Sequence, residues 1–194
     1  MPAGLLIVDV QNDFCSGGAL AVPGSESVIA ALNGYIDEAA AAGLPIYASR
    51  DWHPATTSHF TPYGGQWPVH CVQDSAGARF HPDLHLPSTA IVVTKGEELS
   101  APGYSAFEGR TPEGSSLLAH LQENGITRLY VGGLATDYCV KQSVLDARAA
   151  GLTVTVLEDA IAGVEVRPGD SARALAEMRA SGAGVVAHAG SLTG

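Results

Sequence analysis

Residues 127–152 read TRLYVGGLATDYCVKQSVLDARAAGL, and the change of pattern inside this stretch decides the fold. The first part, TRLYVGG (127–133), is a short apolar run ending in two glycines. Such a run marks a strand covered on both faces. The second part repeats apolar residues at Val140, Val144 and Ala147, three to four apart, and stops at Gly151. That is the pattern of an amphipathic helix closed by a glycine. A strand fed directly into a helix is half of a βαβ unit. Cys139 sits at the junction.

The alternation recurs on either side. Five further apolar runs read as strands: GLLIVDV (4–10), LPIYASR (44–50), TAIVVTK (89–95), LTVTVLE (152–158) and AGVVAHA (183–189). Helical spacing falls at Val28, Leu32, Ile36 and Ala39 before Gly43, at Leu117, Leu118 and Leu121 before ENG (123–125), and at Ala172, Leu175 and Met178 before Gly182. Alternating strands and helices predict an α/β fold, a three-layer doubly wound sandwich with a mainly parallel six-stranded sheet. No repeat or linker divides the chain, so residues 1–194 are expected to form a single domain, long enough to bury a full core. One segment departs from the pattern. Residues 51–88 (DWHPATTSHFTPYGGQWPVHCVQDSAGARFHPDLHLPS) are rich in Pro, Gly, aromatics and His. So long an irregular connection inside a compact domain is usually functional. Residues 11–24 and 96–113 share its character.

Composition narrows the class of function. The formal net charge is −10, and the 10 Lys and Arg are scattered. This argues against nucleic-acid phosphate as a partner and against a membrane surface. No run of apolar residues is long enough to span a bilayer. The start, MPAGLLIVDVQNDF, lacks the basic opening of an export signal. The three cysteines, at 15, 71 and 139, are too few and too odd in number for a disulfide framework. A cytoplasmic, reducing setting is therefore expected. No heptad pattern points to a coiled-coil partner, and a homo-oligomer stays open.

In an open parallel sheet, ligands bind beyond the carboxyl ends of the strands. Strand one runs out at Asp9, strand two at Asp51 followed by His53, strand three at Lys95, and strand four through GGLAT to Cys139. With Thr136 as N-cap, Cys139 falls in the first helical turn, where the dipole and free N–H groups favour a thiolate and can hold an oxyanion. Asp9 can take the thiol proton and pass it to a leaving amine, while Lys95 balances charge. Singly, each has a plainer role: Cys139 as core packing, Asp9 as a loop cap, Lys95 as a surface amine. Their convergence on one sheet edge argues for catalysis. Cys15 and Cys71 have no such setting and read as packing.

Five of the seven histidines, at 53, 59, 70, 81 and 85, fall close together. Asp51 and His53 face the same way on an extended segment because side chains alternate. His59 and His70 can return to the same point from the long loop. A carboxylate with imidazoles suits one divalent ion (zinc, iron or manganese) with open positions. The alternative is hydrogen-bonded loop histidines, the reading given to His81 and His85. Phe14, Trp67 and Tyr104 flank these positions and either wall a small planar ligand or anchor their loops.

The stretches IVDVQNDFCSGGALAVPG (7–24), ASRDWHPATTSHF (48–60), WPVHCVQDSAGARFHPDL (67–84), VTKG (93–96) and GGLATDYCV (132–140) together resemble the nicotinamidase/pyrazinamidase family, within the isochorismatase-like cysteine hydrolases. VDVQNDF and the TD-x-CV segment resemble the wider superfamily; DWHP with WP-x-HC is more specific. The resemblance implies a triad of Asp9, Lys95 and Cys139, and metal ligands at Asp51, His53 and His70, with His59 a ligand in some members. Zinc is the foremost ion. It implies a cis peptide between Leu134 and Ala135, aiming the Ala135 N–H with that of Cys139 into an oxyanion hole. Phe14, Trp67, Tyr104 and Ala135 would surround a pyridine ring. Tyr138 stands where relatives often carry His. The activity implied is hydrolysis of nicotinamide to nicotinate and ammonia through a thioester, in NAD salvage, with pyrazinamide also a substrate. The partner is thus a small aromatic amide. Another amidase of the superfamily, acting on a carbamoyl or ureido compound, would share the triad without needing Asp51, His53 and His70 together.

Overall fold

The computed structural model describes residues 2–100 and 102–192. Six strands form, each overlapping one of the expected runs: β1 (Ala3–Val8), β2 (Ile46–Asp51), β3 (Ile91–Lys95), β4 (Arg128–Leu134), β5 (Thr153–Ala162) and β6 (Gly184–Val186). They make one sheet in the order β3-β2-β1-β4-β5-β6, parallel at every pairing. β1 is central and entirely buried. Its residues alternate between two cores. Leu5 and Ile7 pack with α1 (Ser25–Ala41) on one face; Leu6 and Val8 pack with α2 (Leu117–Glu123), α3 (Lys141–Ala149) and α4 (Asp170–Ala180) on the other. A strand that must satisfy both faces has no room for polar residues, which explains the continuous apolar runs.

Two details differ from the sequence expectation. β5 runs on to Ala162, past the expected end at residue 158, with a register shift opposite Val131 and Gly133 of β4. α4 turns Ala174 and Met178 inward, one helical turn apart, and leaves Ala172 exposed. As expected, the connection from β2 to β3 is irregular, with one short 3-10 turn at Thr61–Tyr63. Residues of that irregular crossover, among them Cys71, Ala78 and Leu84, pack into the α1-side core.

The chain leaves β1 toward β2 and β3, then returns to the other side of β1 as β4. This reversal opens a crevice beyond the ends of β1 and β4. Gly133 permits the close approach there. It sits at φ 124°, and a Cβ would lie 2.1 Å from the Val8 carbonyl oxygen. Gly133→Ala is therefore expected to destabilise the fold by on the order of 3–5 kcal/mol. Urea unfolding reads this directly, and a loss below ~1 kcal/mol would mean that the end of β4 re-routes without penalty.

Candidate active site

Register brings the strand-end residues together. Val8 pairs with Ser49 and with Gly133, and Asp51 pairs with Lys95, so Asp9, Asp51, Lys95 and the turn after β4 share one edge. Lys95 is buried at the centre. Its Nζ lies 2.8 Å from Asp9 Oδ2, donates to Asp51 Oδ1 and to the Gly103 carbonyl at 2.7 Å, and stands 3.7 Å from Cys139 Sγ. The Ser49 hydroxyl donates to Asp9 Oδ1 at 2.7 Å. Asp9 is held at φ 50°, a turn that aims its carboxylate back across the end of the sheet.

The electrostatics follow from burial and from this one ammonium among acids. Burial raises the Asp9 carboxyl, Lys95 opposes it, and Asp51 adds to the rise. Burial also acts to raise Asp51, but Lys95 and His53 outweigh it and hold that carboxylate low. Burial acts to lower Lys95, yet the two aspartates carry it well above the usual lysine range. The expected acidic thiol is not found. Burial drives Cys139 well above the ordinary cysteine range, with Lys95 opposing and both aspartates adding. Full burial beside two carboxylates outweighs the Lys95 ammonium. The sulfur therefore rests as a thiol, hydrogen-bonded to Asp9.

The turn carrying Cys139 also differs from expectation. Ala135, not Thr136, is the N-cap, and residues 136–140 form a single π turn before α3 begins at Lys141. The Ala135 carbonyl accepts from the N–H of Tyr138 and of Val140, both at 3.1 Å, on either side of Cys139. The peptide between Leu134 and Ala135 is cis.

Beside this cluster lies a second one. Ligand-capable atoms of His53, His59 and His70 lie within 4.8 Å of one another. His53 spends Nδ1 on the Gly96 carbonyl at 3.0 Å, and His70 spends Nδ1 on the Pro68 carbonyl at 2.7 Å. Each ring thus has its other nitrogen free, and His53 Nε2 is buried without a hydrogen-bond partner, 3.6 Å from Asp51 Oδ2. Burial lowers His70, and burial followed by the neighbouring His53 and His70 brings His59 to about 4, so the lone pairs of His59 and His70 are available at neutral pH. Three imidazoles and a carboxylate around one orphaned buried nitrogen are a donor set that fits a divalent ion. Asp51 belongs to both clusters, one oxygen toward Lys95 and the other toward the histidines.

The two clusters floor one cleft of about 340 Å³, open mouth included. Asp51, His59, His70, Ala135 and Cys139 form its floor, and Phe14, Trp67 and Tyr104 wall it. Trp67 Nε1 donates to the Tyr104 hydroxyl at 2.9 Å, which fixes that wall. Three more residues line the cleft: Leu20, Val164 and Tyr138, whose ring meets Trp67 edge-on at 4.7 Å. Val164 follows the extended end of β5, so recognising the full strand would have pointed to it; Leu20 carries no such signal. Cys15 and Cys71 are buried and free.

Residues 3–190 match the isochorismatase domain family. The chain is 47% identical to a nicotinamidase of Escherichia coli, covering 94% of this chain and 93% of that one. It is 43% identical to a nicotinamidase/pyrazinamidase of Mycobacterium tuberculosis, over 90% and 93% of the two chains. Among solved structures it is similar to the pyrazinamidase of Pyrococcus horikoshii in complex with zinc, with a TM-score of 0.88, 41% identity and coverage of 96% and 99%.

Proposed function

Given that the chain belongs to the isochorismatase domain family, we propose that it is a metal-dependent cysteine amidase that hydrolyses nicotinamide to nicotinate and ammonia, and pyrazinamide likewise. The observation that carries this reading is the shared Asp51, which ties a thiol–carboxylate–ammonium group to a histidine cluster on the floor of one ring-sized cleft. The nicotinamidase and pyrazinamidase relatives support the substrate class.

Asp51, His53 and His70 would hold the ion, with His59 facing the same point. When bound, it supplies a Lewis acid that orients the pyridine nitrogen and polarises a water; zinc is the ion we propose. The chain's own residues do the rest. Phe14, Trp67 and Tyr104 confine the ring and exclude bulk water. Cys139 Sγ attacks the carboxamide carbon as its proton passes to Asp9, so the thiol need not ionise beforehand. Lys95 holds Asp9 in place and balances the charge that develops. The N–H groups of Ala135 and Cys139 receive the oxyanion. Asp9 then returns its proton to the departing ammonia, leaving a thioester. A water that gives its proton to Asp9 cleaves that thioester, releasing nicotinate and the free thiol.

The reading includes a cytoplasmic setting and no nucleic-acid or membrane partner. It is supported by the net charge of −10. Among the described residues no helix is long and apolar enough to cross a membrane.

The experiment is ammonia release from nicotinamide, pyrazinamide and a ureido compound, before and after dialysis against a strong chelator. We expect turnover of the two ring amides, at least ~100-fold loss on metal removal, and recovery with Zn²⁺ or Mn²⁺. Chelator-resistant turnover confined to the ureido compound would overturn the reading.

A further inference from the structure

Gln11 lies in none of the roles above, yet it is buried and its amide makes three hydrogen bonds, two of them to Asp51. Its Oε1 accepts from the backbone N–H of Asp51 at 2.8 Å. Its Nε2 donates to the Asp51 carbonyl and to the Ala78 carbonyl, each at 2.8 Å. Only this orientation of the amide works, since reversal would set an oxygen against two carbonyls and an NH₂ against an N–H. Asp51 is the last residue of β2, where the sheet no longer pairs it on the β1 side. Gln11 takes over as a side-chain surrogate for the missing strand neighbour. Through Ala78 it also pins the far end of the irregular crossover.

Two residues on, Asp13 does a parallel job. Its Oδ2 accepts from the Cys71 N–H at 2.7 Å. Cys71 follows His70 directly and sits at φ 45°, a conformation an L residue adopts only when held. The segment after β1 therefore grips the backbone at Asp51 through Gln11 and at Cys71, next to His70, through Asp13.

We propose that Gln11 is a positioning residue that fixes the Asp51 backbone and thereby sets metal affinity, with Asp13 doing the same at His70. A carboxylate that must present one oxygen to Lys95 and the other to the histidines tolerates little rotation or shift. Its side-chain reach is short, so its backbone has to be held. Both amide groups of Asp51 being tied to one glutamine is the arrangement that does this. Outer partners of this kind typically change metal affinity 10–100-fold when removed.

This inference rests on the metal-site reading above. Its test starts from the full chain loaded with one equivalent of Zn²⁺ and titrates a chromogenic chelator, for the unmodified protein, Gln11→Met, Gln11→Glu and Asn12→Ala. Glu keeps the acceptor for the Asp51 N–H but faces two carbonyls with a carboxylate; Met removes every bond at unchanged size. The Asn12 side chain donates to the Ala76 carbonyl, at 2.8 Å on the surface, and serves as control. Circular dichroism of the same samples reports folding. The expected result is a ~10–100-fold weaker Zn²⁺ affinity in both Gln11 variants, with folded spectra and an unchanged Asn12→Ala. Equal affinity in a folded Gln11 variant would overturn the inference. So would loss of the folded spectrum in both Gln11 variants, since Gln11 would then hold the fold rather than the site. An unmodified protein that retains no Zn²⁺ would instead overturn the metal-site reading on which this one stands.

Discussion

Cys139→Ala should leave a folded protein whose amide turnover is down by at least ~10⁴-fold, because no neighbouring group can take over the attack. The Asp9 carboxylate and the Lys95 ammonium are paired with each other, and neither can form a hydrolysable acyl link through the same geometry. Stability should change by only about 1 kcal/mol, since a single buried sulfur is lost from a tightly packed site. Acid-quenched mixtures with nicotinamide examined by intact mass should reveal an acylated chain for the unmodified protein and none for Cys139→Ala. Turnover within tenfold of normal in that variant would remove the covalent route altogether.

Lys95→Met should abolish turnover too, but with a structural cost that Cys139→Ala does not carry. The ammonium is the cation that Asp9 and Asp51 share, and all three groups are buried. Removing it leaves two adjacent carboxylates without their counter-ion, and breaking a buried pair in this way typically costs about 3–5 kcal/mol. It also leaves the Gly103 carbonyl without its donor. Part of the loss is electrostatic and should be recoverable. Lys95→Met with Asp9→Asn should regain at least ~1 kcal/mol over the single variant, since the two sites contact each other and cannot add independently. Urea midpoints of the three proteins decide this; a Lys95→Met protein as stable as the unmodified one would mean the carboxylates do not depend on the ammonium.

The sequence made the strands and the location of the site legible for a physical reason. Doubly covered strands exclude polar residues, so Asp9, Asp51 and Lys95 stand out where each apolar run ends. What it did not carry was register. Whether Asp51 belonged to the thiol's group or to the histidines depends on which residue lies opposite which. Only the pairing of Asp51 with Lys95 reveals that it serves both. The state of the Cys139 thiol was misread for a related cause: position on a helix can be inferred from spacing, but the burial that overrides it comes from the assembled core. Gln11 is polar and follows a strand, which is ordinary for a loop. Its three bonds appear only once the β2 end and Ala78 are folded against it.

The crossover between β2 and β3 replaces a helix, and its residues are part of the α1-side core. The same span, which starts after Asp51, holds His53, His59 and His70. Cation capture and stability of that hydrophobic layer would therefore be linked. An ion present at a hundred times its dissociation constant would add about 2.7 kcal/mol to the folded state. Loss of the ion would then lower stability as well as activity.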